Sequence, residues 1–297
     1  DFNVVFFFFF VKVVKQNEAN KWPTNWRHSM QLSRRTFVKL CAAATGAAGL
    51  GVRRPRNAVA QGGGVSLPKP DRPAQGTSAL YAKDATFPKI EPLRPPAGAP
   101  NVVIILVDDM GYGASSAFGG PCHMPTLERV AAEGIKYSRF HTTALCSPTR
   151  QALLTGRNHH SVEMGAITEQ ATSVPGYTSV RPNSAATIAE VLRLNGYSTG
   201  AFGKMHQTPV WEVSTSGPFD RWPTGEGFEK FYGFVGAETN QWAPTLVEGT
   251  TPVEPPDDPQ YHFTEDLVDH TVAWVRSQHA LTPDKPFFVY LSFGATH

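Results

Sequence analysis

The chain has 297 residues, 41% of them hydrophobic, and a formal net charge of +2. That length suits one large domain or two small ones, and the near-neutral balance gives no electrostatic reason to expect nucleic acid as a partner. Its cysteines, Cys41, Cys122 and Cys146, are too few and too scattered for a disulfide framework or a zinc cluster.

No apolar run reaches bilayer-spanning length, and residues 4–14 (VVFFFFFVKVV) are broken by Lys12. The next stretch reads as an address. Residues 33–40 (SRRTFVKL) pair Arg34 and Arg35 with a following Phe and Lys. A small, weakly apolar segment comes after them, and residues 57–60 (NAVA) end in an Ala-x-Ala pattern. A charged start, an apolar middle and a small-residue cleavage site make a signal peptide, and paired arginines point to the bacterial twin-arginine export route. Residues 30–60 are accordingly assigned to the signal, with Met30 as its natural start. Residues 1–29 then read as non-native upstream sequence and are set aside from the fold. The expected location is the periplasm or the outside of a bacterial cell, with no stable membrane anchor.

Residues 61–100 are rich in Gly and Pro, lack apolar periodicity, and read as a linker or wrapping arm. The folded part is expected over 101–297. Residues 102–107 (VVIILV) have the continuous β-branched character of a strand buried on both faces of a parallel sheet. Residues 125–134 predict a helix with Pro at its start and Gly134 closing it, 136–143 a strand, and 147–156 a short helix. The clearest helix is 184–196, with Ser184 as N-cap and Ile188, Val191 and Leu192 as its apolar stripe. Further strands are expected at 198–203 and 286–294, with a helix at 264–278 between them. Strands alternating with helices predict an α/β fold, with a largely parallel or mixed sheet sandwiched by helices.

In such sheets ligands sit beyond the carboxyl ends of the strands, which directs attention to the residues just after each strand. After the first come Asp108 and Asp109, adjacent carboxylates that repel each other unless a cation compensates; a hard divalent ion with oxygen ligands would do so. After 198–203 come Lys204 and His206, and after the last strand comes His297. The segment CSPTR (146–150) puts a proline in the first turn of a helix, Cys146 at its positive N-terminal end and Arg150 one turn on. Read from the residues alone, that is either a low-pKa thiolate nucleophile or a chance arrangement. Trp211, Trp222 and Trp242 lie in 208–263, which reads either as aromatic walls for an aryl substrate or as surface loops. Neither the adjacent histidines of 157–160 (RNHH) nor Cys122 shows a clear role.

These residues carry a resemblance. CSPTRQALLTGR resembles the signature of the formylglycine-dependent sulfatases, of bacterial arylsulfatase type within the alkaline-phosphatase-like superfamily. GYSTGAFGKMH (196–206) resembles their second signature. NVVIILVDDMGYG resembles their first metal-binding strand, and FFVYLSFGATH the strand carrying a further active-site histidine. The similarity runs from about residue 101 to 297. It implies that Cys146 is oxidised to formylglycine by a formylglycine-generating enzyme. Asp108, Asp109 and the modified Cys146 would hold a divalent metal, calcium first and magnesium second. It further implies that Arg150 steadies the formylglycine, Lys204 holds the sulfate, His206 acts in elimination, and His297 serves sulfate and leaving group. The expected substrate is a small-molecule sulfate ester, aryl by the family's pattern, and the expected partners are the modifying enzyme and the export machinery.

The family's other Asp/Asn metal pair, a further lysine and the C-terminal subdomain belong downstream of the strand that precedes His297. The chain is therefore read as the front part of a longer enzyme, inactive by itself. Two other readings stay open: a phosphonate or phosphate ester hydrolase of the same superfamily, and an inactive fragment with unmodified Cys146.

Overall fold

The structure, a computed structural model, describes the strand Phe9–Val14 and residues 75–297. The signal assigned to 30–60, Cys41 and the first part of the arm lie outside the described residues. A seven-stranded sheet organises the rest, in the order β1-β2-β7-β3-β4-β5-β6. These strands are β1 (Phe9–Val14), β2 (Asn101–Leu106), β3 (Ser198–Lys204), β4 (Lys230–Phe234), β5 (Leu246–Glu248), β6 (Thr251–Val253) and β7 (Phe287–Ser292).

The central four strands, β2, β7, β3 and β4, run parallel. Their carboxyl ends therefore share one edge of the sheet. β1 pairs antiparallel with β2, Phe9 opposite Leu106, in a stretch expected from the sequence to lie apart from the fold. β5 and β6 close the far side as antiparallel strands.

The predicted sandwich is present. Alternate residues of the central strands face opposite ways, so every second side chain enters a different core. One core joins Ile104, Leu106, Ala201, Phe231, Phe288 and Tyr290 with Leu154 and Ala189 from the helices α2 (Cys146–Thr155) and α3 (Ile188–Arg193). The other joins Phe202, Tyr232, Val289 and Leu291 with Phe263 and Leu267 from α4 (Phe263–Leu281). Packing on both faces is why β2 and β7 read as unbroken apolar runs. A fully buried aromatic such as Phe288 contributes on the order of 2–3 kcal/mol by leaving water. The remaining helix, α1 (Pro125–Glu133), begins on Pro125 as expected and buries no residue completely.

Three local expectations differ from what forms. Residues 136–143 make no strand. The helix predicted at 184–196 is helical only over Ile188–Arg193, because Thr187, whose hydroxyl accepts from the Glu190 amide at 3.1 Å, caps it in place of Ser184. Residues 208–263 are more than surface loops, since they supply β4, β5 and β6. Trp222 within them is completely buried, its indole N–H donating to the Glu212 carbonyl at 2.6 Å. Trp211 and Trp242 are exposed. Of the arm, residues 75–100 are mostly exposed, with Arg94 paired to Asp284 at 3.0 Å.

One glycine shapes the carboxyl edge. Gly203 has φ +102°, and a Cβ there would lie 1.9 Å from the Ser292 carbonyl oxygen on β7. Only glycine lets β3 approach β7 that closely, immediately before Lys204.

Candidate active site

Asp108 lies just past β2 at the shared edge and is completely buried. Its Oδ1 accepts from Arg150 Nη2 at 2.7 Å and its Oδ2 from Lys204 Nζ at 2.6 Å. Arg150 comes from α2, one turn after Cys146, and its Nη1 also donates to the Lys204 carbonyl at 3.0 Å and to the Ser292 hydroxyl at 2.5 Å. One guanidinium thus ties together the ends of β2, β3 and β7, with Asp108 lying between two fully buried cations. Such a pair is held by mutual compensation and fails when one side is removed.

Cys146 is the first residue of α2 and is buried, its Sγ 3.7 Å from Lys204 Nζ. Burial is the largest influence on its thiol and lifts the pKa above the ordinary value; Lys204 pulls the other way without cancelling it. The low-pKa thiolate considered from sequence is therefore not what this environment favours, despite the helix N-terminus. Cys122 is free and exposed.

Asp109 sits with a left-handed backbone, φ 51°, and its carboxylate lies 3.0 Å from His297 Nδ1, which is also 3.7 Å from Asp108 Oδ2. His297 Nδ1 also lies 3.4 Å from Lys204 Nζ, and its Nε2 is 3.6 Å from Glu238. Asp108, Asp109, Cys146 and His297 together place their ligand-type atoms within 4.8 Å of one another. Two carboxylates side by side suit a hard cation, which takes about six to eight oxygen ligands when it is calcium. An imidazole nitrogen and a sulfur are poor donors to such an ion, so the fit rests on the Asp108 and Asp109 carboxylates.

His206 lies just past β3, is buried, and also takes a left-handed backbone, φ 46°. Burial pushes its pKa below the ordinary value; Glu169 opposes that shift and the charges of Lys204 and Arg150 add to it. The next residue anchors the loop: the Gln207 amide donates to Glu226 Oε2 at 2.5 Å, and buried Glu226 also pairs with Arg181 at 3.0 Å. Burial holds the Glu226 carboxyl above its usual range even so.

The residues singled out by sequence come to one edge: Asp108, Asp109, Lys204 and His297 from the strand ends and Cys146 and Arg150 from α2 form one contact network, and His206 stands just beyond Lys204. Three participants were not legible in the sequence. Glu169 contacts His206, Glu238 faces His297 and Ser292 accepts from Arg150. For Ser292 the position at the end of an apolar strand is a usable signal; for the two glutamates, each in a non-periodic loop, there is none. The adjacent His159 and His160 pack against each other, His160 near Tyr177, away from this cluster.

Comparison with known proteins agrees with this geometry. Residues 100–297 match the sulfatase family. The chain is 29% identical over 212 residues to an arylsulfatase of Klebsiella aerogenes, covering 67% of this chain and 43% of that protein. It is 32% identical over 225 residues to the N-acetylgalactosamine-6-sulfatase of Rattus norvegicus, covering 68% and 41%. Among solved structures, Ps i-CgsB in complex with k-i-k-neocarrahexaose superposes with a TM-score of 0.51 at 24% identity, covering 66% of this chain and 44% of that one. A structure solved with its substrate D-glucosamine-2-N,6-O-disulfate gives a TM-score of 0.52 at 21% identity, covering 67% and 35%. A buried carboxylate clamped by arginine and lysine lies beside the cysteine that opens α2, on the carboxyl edge of the mixed sheet. The chain belongs to the sulfatase family, and it spans about two fifths of the length of these curated relatives.

Proposed function

We propose that the protein containing this chain hydrolyses sulfate esters, with aryl sulfates as the substrate class to test first. The single observation that carries the reading is the convergence of Asp108, Cys146, Arg150, Lys204 and His297 within one small region of the sheet edge. A sulfate ester brings a fixed negative charge and gains more during cleavage, so cationic groups around the reacting centre lower the barrier.

Asp108 and Asp109 would hold a divalent cation, calcium for preference. When bound, that ion supplies positive charge to polarise the sulfate and favour ionisation of the attacking group. Conversion of Cys146 to formylglycine supplies a hydrated aldehyde, with one hydroxyl for attack and a second for release. Lys204, already 3.7 Å from the Cys146 sulfur, is placed to hold the sulfate oxygens. Arg150 keeps Asp108 and the β3 and β7 ends in register. His297, which is exposed, would give a proton to the departing alcohol or phenol, and His206 would take one in the release step.

Mass spectrometry of the Cys146 peptide, paired with assays on matched aryl sulfate and aryl phosphonate esters using the full-length protein, tests this reading. A formylglycine mass and a preference for sulfate support it. A formylglycine mass with preference for phosphonate moves the protein to the neighbouring activity, and an unmodified thiol with no turnover removes the catalytic reading. We further propose export by the twin-arginine route; replacing Arg34 and Arg35 by lysine in the protein with its leader should keep it in the cytoplasm, and unchanged export would refute that route.

A further inference from the structure

His206 closes the second signature, but its partner Glu169 lies outside every motif that marks the site. Glu169 sits on a short turn, Thr168–Gln170, in the long connection between α2 and α3. It reaches 37 positions along the chain to place Oε2 2.9 Å from His206 Nε2. His206 is 2% exposed, and its other nitrogen, Nδ1, is buried with no hydrogen-bond partner. A neutral imidazole carries one proton, and an ionised carboxylate can only accept. Whichever nitrogen faces Glu169 must therefore bear the hydrogen, and the other must be bare.

We propose that Glu169 is a positioning residue that holds His206 as its Nε2–H tautomer, leaving Nδ1 as an unprotonated acceptor inside the site. Two further features agree. The Glu169 carboxyl lies below its usual pKa range, burial acting to raise it and the contact with His206 to lower it, so the acceptor is ionised at neutral pH. The charged groups that act on His206 besides Glu169 are Lys204 and Arg150, both cations that resist a second proton on the ring. The ring is also fixed at its base, since the left-handed backbone of His206 leads directly into the Gln207–Glu226 hydrogen bond. An unpaired polar atom in so dense a setting is held for a partner that arrives with the chemistry. An orienting carboxylate behind a histidine is a general device for choosing which nitrogen works as the base.

This inference rests on the proposed hydrolysis only for the consequence on rate; the tautomer itself does not depend on it. The test uses the full-length protein labelled with ¹⁵N-histidine, in which long-range proton–nitrogen correlation identifies the protonated ring nitrogen of His206. The expected result is a proton on Nε2 and none on Nδ1. In Glu169→Ala the tautomers should mix, and kcat for an aryl sulfate should fall by about 10²-fold with KM little changed, the scale of a displaced general base. Glu169→Gln, whose carbonyl can still accept from Nε2–H, should keep the wild-type tautomer and recover most of that loss. A proton found on Nδ1 in the wild type, or Glu169→Ala with the tautomer and kcat of the wild type, would overturn the assignment. Should Glu169→Ala not fold, the wild-type spectrum and Glu169→Gln still decide it. A wild type that cleaves no sulfate ester but shows the Nε2–H signature sinks the proposed activity and leaves this tautomer standing.

Discussion

Asp108 Oδ2 and Lys204 Nζ meet at 2.6 Å with neither side chain reached by solvent. That ion pair joins the end of β2 to the end of β3 across the intervening β7, and Arg150 closes it from the helix side at 2.7 Å. The site is thus also a fastening of the fold, and changes to it have structural as well as chemical consequences.

Asp108→Asn tests the fastening. An amide cannot neutralise Lys204 and Arg150, which would stay buried without their anion. Breaking a buried pair from one side typically costs about 3–5 kcal/mol. Urea and thermal unfolding should both show a loss of that order. A loss below about 1 kcal/mol would mean that the two cations find other compensation.

Cys146→Ser tests the chemistry separately. The substituted hydroxyl is close to the thiol in size and sits at the same buried helix start, so the unfolding midpoint should move little. Turnover should vanish, because a single hydroxyl lacks the second oxygen that the proposed release step needs. Sustained multiple turnover by a purified Ser variant would remove formylglycine from the mechanism.

Asp109→Ala addresses the cation. Asp109 is only partly buried and pairs with His297 instead of Lys204 or Arg150, so its removal should spare the fold. Calcium affinity measured by calorimetry and sulfate ester turnover should drop together, and excess calcium should restore part of the turnover. Activity lost at unchanged calcium affinity would show that Asp109 is not a ligand.

The pH dependence of stability is set in part by His206 and Glu169. Burial holds the folded His206 below its unfolded pKa of about 6.5. Below that pH the unfolded chain takes up a proton that the folded ring resists, so the contribution is complete above about 6.5 and is lost as the pH falls. The Glu169 carboxyl is also lower in the folded state, and its contribution disappears at still lower pH, below about 4.3. Unfolding free energy should therefore decline as the pH falls below about 6.5, and His206→Gln should flatten that decline. An unchanged slope in the variant would assign the acid sensitivity to other groups.

The sequence revealed most about segments whose environment is symmetric. β7 is buried on both faces and β2 on one with the other partly covered, so Val102 to Leu106 and Phe287 to Leu291 read as uninterrupted apolar runs. Lys230–Phe234 was not legible as a strand. It is short, carries Gly233 inside it, and depends for its pairing on β3, which lies about 30 residues back in the chain. Thr187 and Ser184 are both sound caps in isolation, and it is the Glu226 carbonyl accepting the Thr187 hydroxyl that favours the later one. Among the site residues, those just past the strands were found because parallel-sheet geometry says where to look. Glu169 and Glu238 act on the site from loops, where no periodicity links position to direction.

The close approach at Gly203 has a consequence for how the protein tolerates change. The atoms that any larger residue would meet are those of the Ser292 backbone, with the Leu267 side chain next. Ser292 in turn is a partner of Arg150. A saturation library should thus find position 203 as intolerant as its chemically active neighbour, although nothing at 203 can bind or react. The lack of a side chain at 203 is what lets the two strand ends meet, and a change that adds one would remove activity without touching a functional group.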